Sequence, residues 1–186
     1  MLIHWDDKNR YMDRYKKLFE HMLMIHSKIE AADIKGLYEY DDPNEPATEE
    51  QLLNWEQDNN LNIPSSYRAF LLNANGWKNI VQAFELFSID ALSFDKSNQY
   101  NEFLSFCIDN LSDYGDKLCL LPIGANHESY DLYLMVLDSN SEYYGQVIWV
   151  AGEEVERYDD FEKFFNSLIK GNEYVYKLLI GEAEKP

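Results

Sequence analysis

Leu61-Asn-Ile-Pro-Ser-Ser-Tyr-Arg-Ala-Phe-Leu-Leu-Asn-Ala-Asn-Gly76 is the stretch on which the reading of this chain turns. Two apolar residues, Leu61 and Ile63, lead into Pro64. Tyr67, Phe70 and Leu71 follow at helical spacing, and the stretch closes on Asn75-Gly76. Proline suits the first helical turn, where its missing N–H has no intrahelical acceptor to lose. The i, i+3, i+4 spacing puts the three large side chains on one face. Glycine reverses the chain after a helix at little steric cost. By physics alone this is a short amphipathic helix with defined ends and a core-facing stripe.

Working outward, Thr48-Glu-Glu-Gln51 has the capping-box spacing and opens a helix carrying Leu52, Leu53, Trp55 and Glu56. Before it, Asp33 to Pro46 is rich in turn residues, with Leu37, Tyr38 and Tyr40 as a candidate short edge strand. Asp6 or Asp7 caps a predicted helix to about Ala32, with Tyr11, Tyr15, Leu18, Phe19, Met22, Ile25 and Ile29 on its apolar stripe. Short strands are expected between Trp77 and Phe87. A helix follows on Tyr100, Phe103, Leu104, Cys107, Ile108 and Leu111. Leu118 to Ile123, Leu132 to Asp138 and Gln146 to Val150 are strand candidates, the last two forming an antiparallel hairpin around the polar turn Ser139–Gly145. Glu154 to Tyr158 alternates as a further strand. Two helices close the chain, near Phe161 to Lys170 and Tyr174 to Ile180, separated at Gly171.

The order of these residues resembles the signature of the SUKH superfamily, which includes yeast cell-wall-synthesis regulators and many bacterial immunity proteins. In that pattern a helix with an apolar residue and a Glu precedes Leu-Pro, then Tyr, Phe-Leu and Asn-Gly. Leu52 and Glu56, Ile63-Pro64, Tyr67, Phe70-Leu71 and Asn75-Gly76 fill those places here. Leu121-Pro-Ile-Gly124, Leu132 to Leu137, Gly145-Gln-Val-Ile148 and Phe161, Phe164 and Phe165 are similar to the later strands and closing helix. Ile63 stands for the commoner Leu, and Trp77 follows the glycine where the family often has a second one. The resemblance implies an α+β fold: a single domain with a central, largely antiparallel sheet of five or six strands flanked by helices. The resemblance runs from about Pro46 to Ile169; residues 46–186 are read as the domain, and 1–45 as an N-terminal helix and linker packed on it.

Composition bounds the function classes. The chain has 186 residues, enough for one full core, and no apolar run approaches a membrane span. Its N-terminal residues lack signal-peptide character, so a cytoplasmic protein is expected. Cys107 and Cys119 fall in apolar patterns and read as core rather than as a disulfide framework. Asp and Glu total 34 against 16 Lys and Arg, a net charge of −18. Such a chain repels nucleic acid and anionic lipid and draws basic partners at long range. Acidity also serves solubility without any partner.

The sequence carries no recognisable catalytic pattern. His21 and His26 are five apart and share no helical face, Cys107 with His127 lacks the supporting residues a nucleophile pair needs, and no Cys-x-x-Cys, nucleophile elbow, phosphate loop or dinucleotide fingerprint occurs. Asp138-Ser-Asn140-Ser-Glu142 begins like a calcium loop, but Tyr143 replaces its glycine and Trp149 its closing Glu. No cofactor, metal or catalytic residue is therefore expected, and the chain is read as not an enzyme.

What remains is recognition. Glu153, Glu154, Glu156, Asp159 and Asp160 form an acidic run, and the chain has 14 Tyr and 4 Trp. Tyr143 and Tyr144 in the predicted turn and Trp77 after Gly76 are candidate aromatic anchors beside those carboxylates. These eight residues are the candidate partner-binding set. The resemblance implies an intracellular immunity protein that neutralises a cognate toxin, with a basic toxin domain, such as a nuclease, as partner. The alternative is a regulator or scaffold linked to cell-wall synthesis.

Overall fold

Thr48 opens the second helix as its spacing predicts. Its Oγ1 accepts from the Gln51 N–H at 3.2 Å, while Gln51 Oε1 accepts from the Thr48 N–H at 2.8 Å. The computed structural model describes residues 5–95, 99–107, 111, 119–126, 128–129 and 131–183, with the backbone alone at 5–12 and 101. Among the described residues the α-helices are α1 (Trp5–Ala32), α2 (Glu49–Asn59), α3 (Ser65–Leu71), α4 (Gln99–Cys107) and α5 (Phe161–Leu179). The strands are β1 (Trp77–Val81), β2 (Phe84–Leu86), β3 (Leu120–Asn126), β4 (Leu132–Val136), β5 (Val147–Val150) and β6 (Glu154–Tyr158). They make one six-stranded antiparallel sheet in the order β1-β2-β3-β4-β5-β6. The α+β architecture expected from the sequence is the one observed.

Helix packing explains the N-terminal stripe. Tyr15, Phe19, Met22, Ile25 and Ile29 are all buried, and α1 lies against α3 and α5. Phe19 sits 5.4 Å from Phe165, 5.8 Å from Phe70 and 5.3 Å from Trp77 between ring centroids. Rings this close contribute beyond their buried area through offset and edge contacts. The first helix is thus part of the same core as the signature residues. Arg14 on α1 also pairs with the nearly buried Glu162 on α5 at 2.5 Å.

The middle of the sheet is covered on both sides, since β3 is buried at every position from Leu120 to Ala125. Helix α4 packs against β3. Phe84, Tyr133 and Tyr158 meet Phe164 of α5. Gly124 is required here, because a Cβ would lie 2.6 Å from the Glu85 carbonyl oxygen and 2.9 Å from the Phe84 ring.

Three expectations are corrected. The two closing helices are one continuous α5, with Gly171 inside it. A single interior glycine costs about 1 kcal/mol against alanine. The buried stripe of Phe161, Phe164, Phe165, Leu168, Ile169 and Asn172 runs across that position and outweighs the cost. Leu37, Tyr38 and Tyr40 form no strand; Tyr40 instead docks by side chain, its hydroxyl donating to Asn172 Oδ1 at 3.0 Å. Pro64 is the residue before α3 rather than within its first turn. His4, Ile108, Leu118, His127 and the Tyr11 side chain lie outside the described residues.

Candidate functional site

The signature residues bind one another. Glu56 Oε1 accepts from the Ile63 N–H at 2.8 Å, and its other oxygen pairs with Arg68 at 2.9 Å. Arg68 reaches Glu49 as well, at 2.7 Å. Asn75 Oδ1 accepts from the Ile89 N–H at 2.7 Å. Gly76 has φ +87, and a Cβ there would stand 2.7 Å from the Ser88 nitrogen. Tyr67, Phe70 and Leu71 are buried. Pro64 packs on Gly145, where an added Cβ would meet its ring at 3.3 Å. Each of these contacts holds the fold, and none presents a group to a ligand.

The carboxylates predicted for recognition lie elsewhere, along β6 and its two ends. β6 is the last strand of the sheet and pairs with β5, with an irregularity at Trp149/Val150 that adds local twist. Glu153, Glu156 and Asp159 are exposed. Glu154 is half-buried and grips Arg157 with both oxygens at 3.1 Å. Glu156 accepts from the Tyr158 hydroxyl at 2.7 Å. Burial first, then the Glu156 charge and hydrogen bond, push the Tyr158 phenol up to about 12, against a lowering contact with Ser167. Asp160 is the N-cap of α5, its Oδ1 accepting from the Lys163 N–H at 2.8 Å. Its carboxylate therefore holds a helix end as well as adding charge.

The two turn tyrosines diverge. Tyr143 lies under the Arg157 guanidinium, 5.2 Å from ring centroid to carbon, so the structure joins it to β6. Tyr144 leans the other way, its hydroxyl donating to the Asn62 carbonyl at 3.1 Å. Burial and then the Glu56 charge raise its phenol above the ordinary range. The turn itself is internally bonded: Asp138 Oδ1 accepts from the Asn140 N–H at 2.9 Å, and no group of His, Cys, Asp or Glu among the described residues could hold a metal.

Trp77 is a correction. It is 0% exposed, with its Nε1 donating to the Asp41 carbonyl at 2.7 Å, so it cannot serve as a surface anchor. Its ring faces α1 and α5, because β1 presents that position to the helical layer. Conversely, sequence reading passed over Arg157. It is the one cation in the run from Glu153 to Asp160, and that isolation among carboxylates was the available signal. Val155, 48% exposed in the middle of β6, adds apolar surface to the same strand.

The arrangement has an exposed acidic edge, a guanidinium fixed by a carboxylate and a ring, and an apolar residue between them. Such a surface suits protein recognition, where charge steers and aromatic or apolar area holds. Among the described residues no helix is long and apolar enough to cross a membrane. No curated protein matches the chain by sequence. The family model of the SMI1 / KNR4 family (SUKH-1) matches residues 46–167, the span that runs from the segment before the Thr48 cap into α5, and the chain belongs to that family.

Proposed function

We propose that this chain is a non-enzymatic immunity protein of the cytoplasm, which binds a basic toxin domain through the β6 edge and the β4–β5 turn and blocks it. Glu153, Glu154, Glu156, Asp159 and Asp160 supply the charge, and Tyr143 and Tyr144 the aromatic contacts. The observation that carries the reading is the continuity of this edge. Tyr143, Arg157 and Glu154 form one connected set beside the exposed Glu153, Glu156 and Asp159. Family membership supports a binding role, and the net charge of −18 supports a basic partner. On a nuclease the carboxylates would stand where substrate phosphates bind, or beside that place. Association is then fast and weakens as salt screens the field, with a screening length of about 8 Å at physiological ionic strength.

The test is a tagged pull-down from the native cells, washed at low and moderate salt, with bound proteins identified by mass spectrometry. A small basic toxin domain retained at low salt, whose toxicity the chain then relieves, is the expected result. Recovery of cell-wall enzymes or signalling proteins instead would support a regulator or scaffold in the manner of the cell-wall-linked members.

A further inference from the structure

A buried polar cluster lies where four segments meet, away from the β6 edge. His26, on α1, is 4% exposed. Its Nε2 stands 2.9 Å from the Ile80 carbonyl oxygen of β1 and so carries the donated proton in the neutral ring. Asn172, on α5, is fully buried; its amide donates to the same carbonyl at 2.8 Å and to the Met22 sulfur at 3.1 Å. Tyr40, in the linker between α1 and α2, stacks on the imidazole at 3.9 Å and 18° and donates its hydroxyl to Asn172 Oδ1. The linker then runs on past β1 with Asp41 accepting from Trp77 and Asn79, and the Asn44 N–H donating to the Gly76 carbonyl at 3.1 Å. His26 is thus the floor on which this strap lies.

We propose that His26 is an acid-sensitive latch for the strap of residues 37–45, closed over the neutral imidazole and loosened when the ring takes a second proton. A cation would have to form between the Trp77 edge, Met22 and Tyr40, with the donor amide of Asn172 at 3.2 Å and no bulk water around it. The groups facing it are few. β1 offers the Ile80 carbonyl and Trp77, α5 the neutral Asn172, and the linker Tyr40 and the Asp42 carboxylate. Asp42 and the Ile80 hydrogen bond favour the cation, but burial is the larger influence and holds the imidazole below its ordinary value of 6.5. Tyr40 stays a neutral phenol throughout, since burial and then Tyr38, Asp33 and Glu30 raise it.

The sign follows from the lowered value. A solvated imidazole takes up a proton near its ordinary value of 6.5, the buried one of the closed form only at lower pH. The latch is therefore complete above 6.5 and weakens as pH falls through the interval below it. Each unit of lowering biases the strap about tenfold toward opening once the pH lies below both values.

Amide hydrogen exchange on the full chain, at about pH 7.5 and about pH 5.5 and corrected for the intrinsic rate, tests this directly. Strap amides between 37 and 45 are expected to lose protection on acidification while those of β3 to β5 keep it. Unchanged strap protection, or loss in step with the sheet, overturns the proposal. In His26→Gln, whose amide can still donate to Ile80, the pH dependence of the strap disappears; its persistence there overturns the proposal too. If that variant does not fold, the imidazole resonances of the unaltered protein decide. A His26 midpoint below the ordinary value supports the latch, and one at or above it removes it.

Discussion

The Glu56–Gly76 block and the Glu153–Asp160 edge are both rich in polar residues, yet they use them in opposite ways. In the block, Glu56 and Asn75 turn inward to backbone N–H groups of Ile63 and Ile89, and Gly76 lets the backbone pass against the Leu86–Ser88 segment. On the edge, Glu153, Glu156 and Asp159 face solvent, and the bonds that form are between near neighbours in sequence. A polar group satisfied inside the protein fixes geometry, because leaving its partner unmade costs the full desolvation. A carboxylate in water fixes little and remains available for a second molecule. The signature residues from Glu56 to Gly76 therefore mark how the chain folds, and the exposed carboxylates of β6 take no part in that work.

Substitutions separate the two regions, and the largest effect belongs to the block. Phe70→Ala removes a ring that is 0% exposed and touches Tyr15, Phe19, Tyr67, Phe161 and Phe165. A loss of about 4 kcal/mol is expected, a large part of a domain's whole stability, read as a lowered urea midpoint. A loss under about 1 kcal/mol would show that the signature rings are not the centre of the core.

Gly76→Ala comes next, at about 3 kcal/mol, since it combines a positive φ with backbone atoms inside 3.0 Å of the new Cβ. Glu56→Ala leaves the Ile63 N–H and Arg68 without that acceptor and should cost about 2 kcal/mol in the same titration. A neutral outcome would mean that water replaces the carboxylate, placing Glu56 with the edge rather than the block.

At the other extreme, Glu153→Gln with Glu156→Gln should move stability by less than about 0.5 kcal/mol, because both side chains are exposed. The same pair should slow association with a basic partner at low salt and leave it nearly unchanged at high salt, measured by stopped flow. Unaltered association rates at both salts would detach the edge from recognition and sharpen the contrast into one of fold against mere solubility.

Much of this was legible beforehand, for reasons that particular residues make clear. Tyr15 to Ile29 repeat at the helical period, and Thr48 and Gln51 stand at the capping spacing, so both helices announce themselves locally. Leu132 to Val136 and Val147 to Val150 are short apolar runs around a polar turn, enough to identify a hairpin. Gly171 misled because a local rule cannot weigh a helix-breaking residue against the buried stripe on either side of it. Trp77 misled because a ring after a turn is equally compatible with solvent and core. Only the closure of α1 and α5 over β1 decides between them. Tyr40 read as a strand residue, whereas its partner Asn172 lies 132 positions away.

By itself the sequence determined most of the helices and strands, the family-like order of Pro64, Tyr67, Phe70 and Gly76, the excess of negative charge and the acidic run. Those properties depend on neighbours within a few positions, or on sums over the whole chain. Tertiary structure alone decided which polar groups are satisfied internally. It sent Glu56 to Ile63 and Arg68, Tyr143 to Arg157 and His26 to Ile80. Burial and hydrogen bonding between distant segments set the energy of each such group, and no local pattern carries that information.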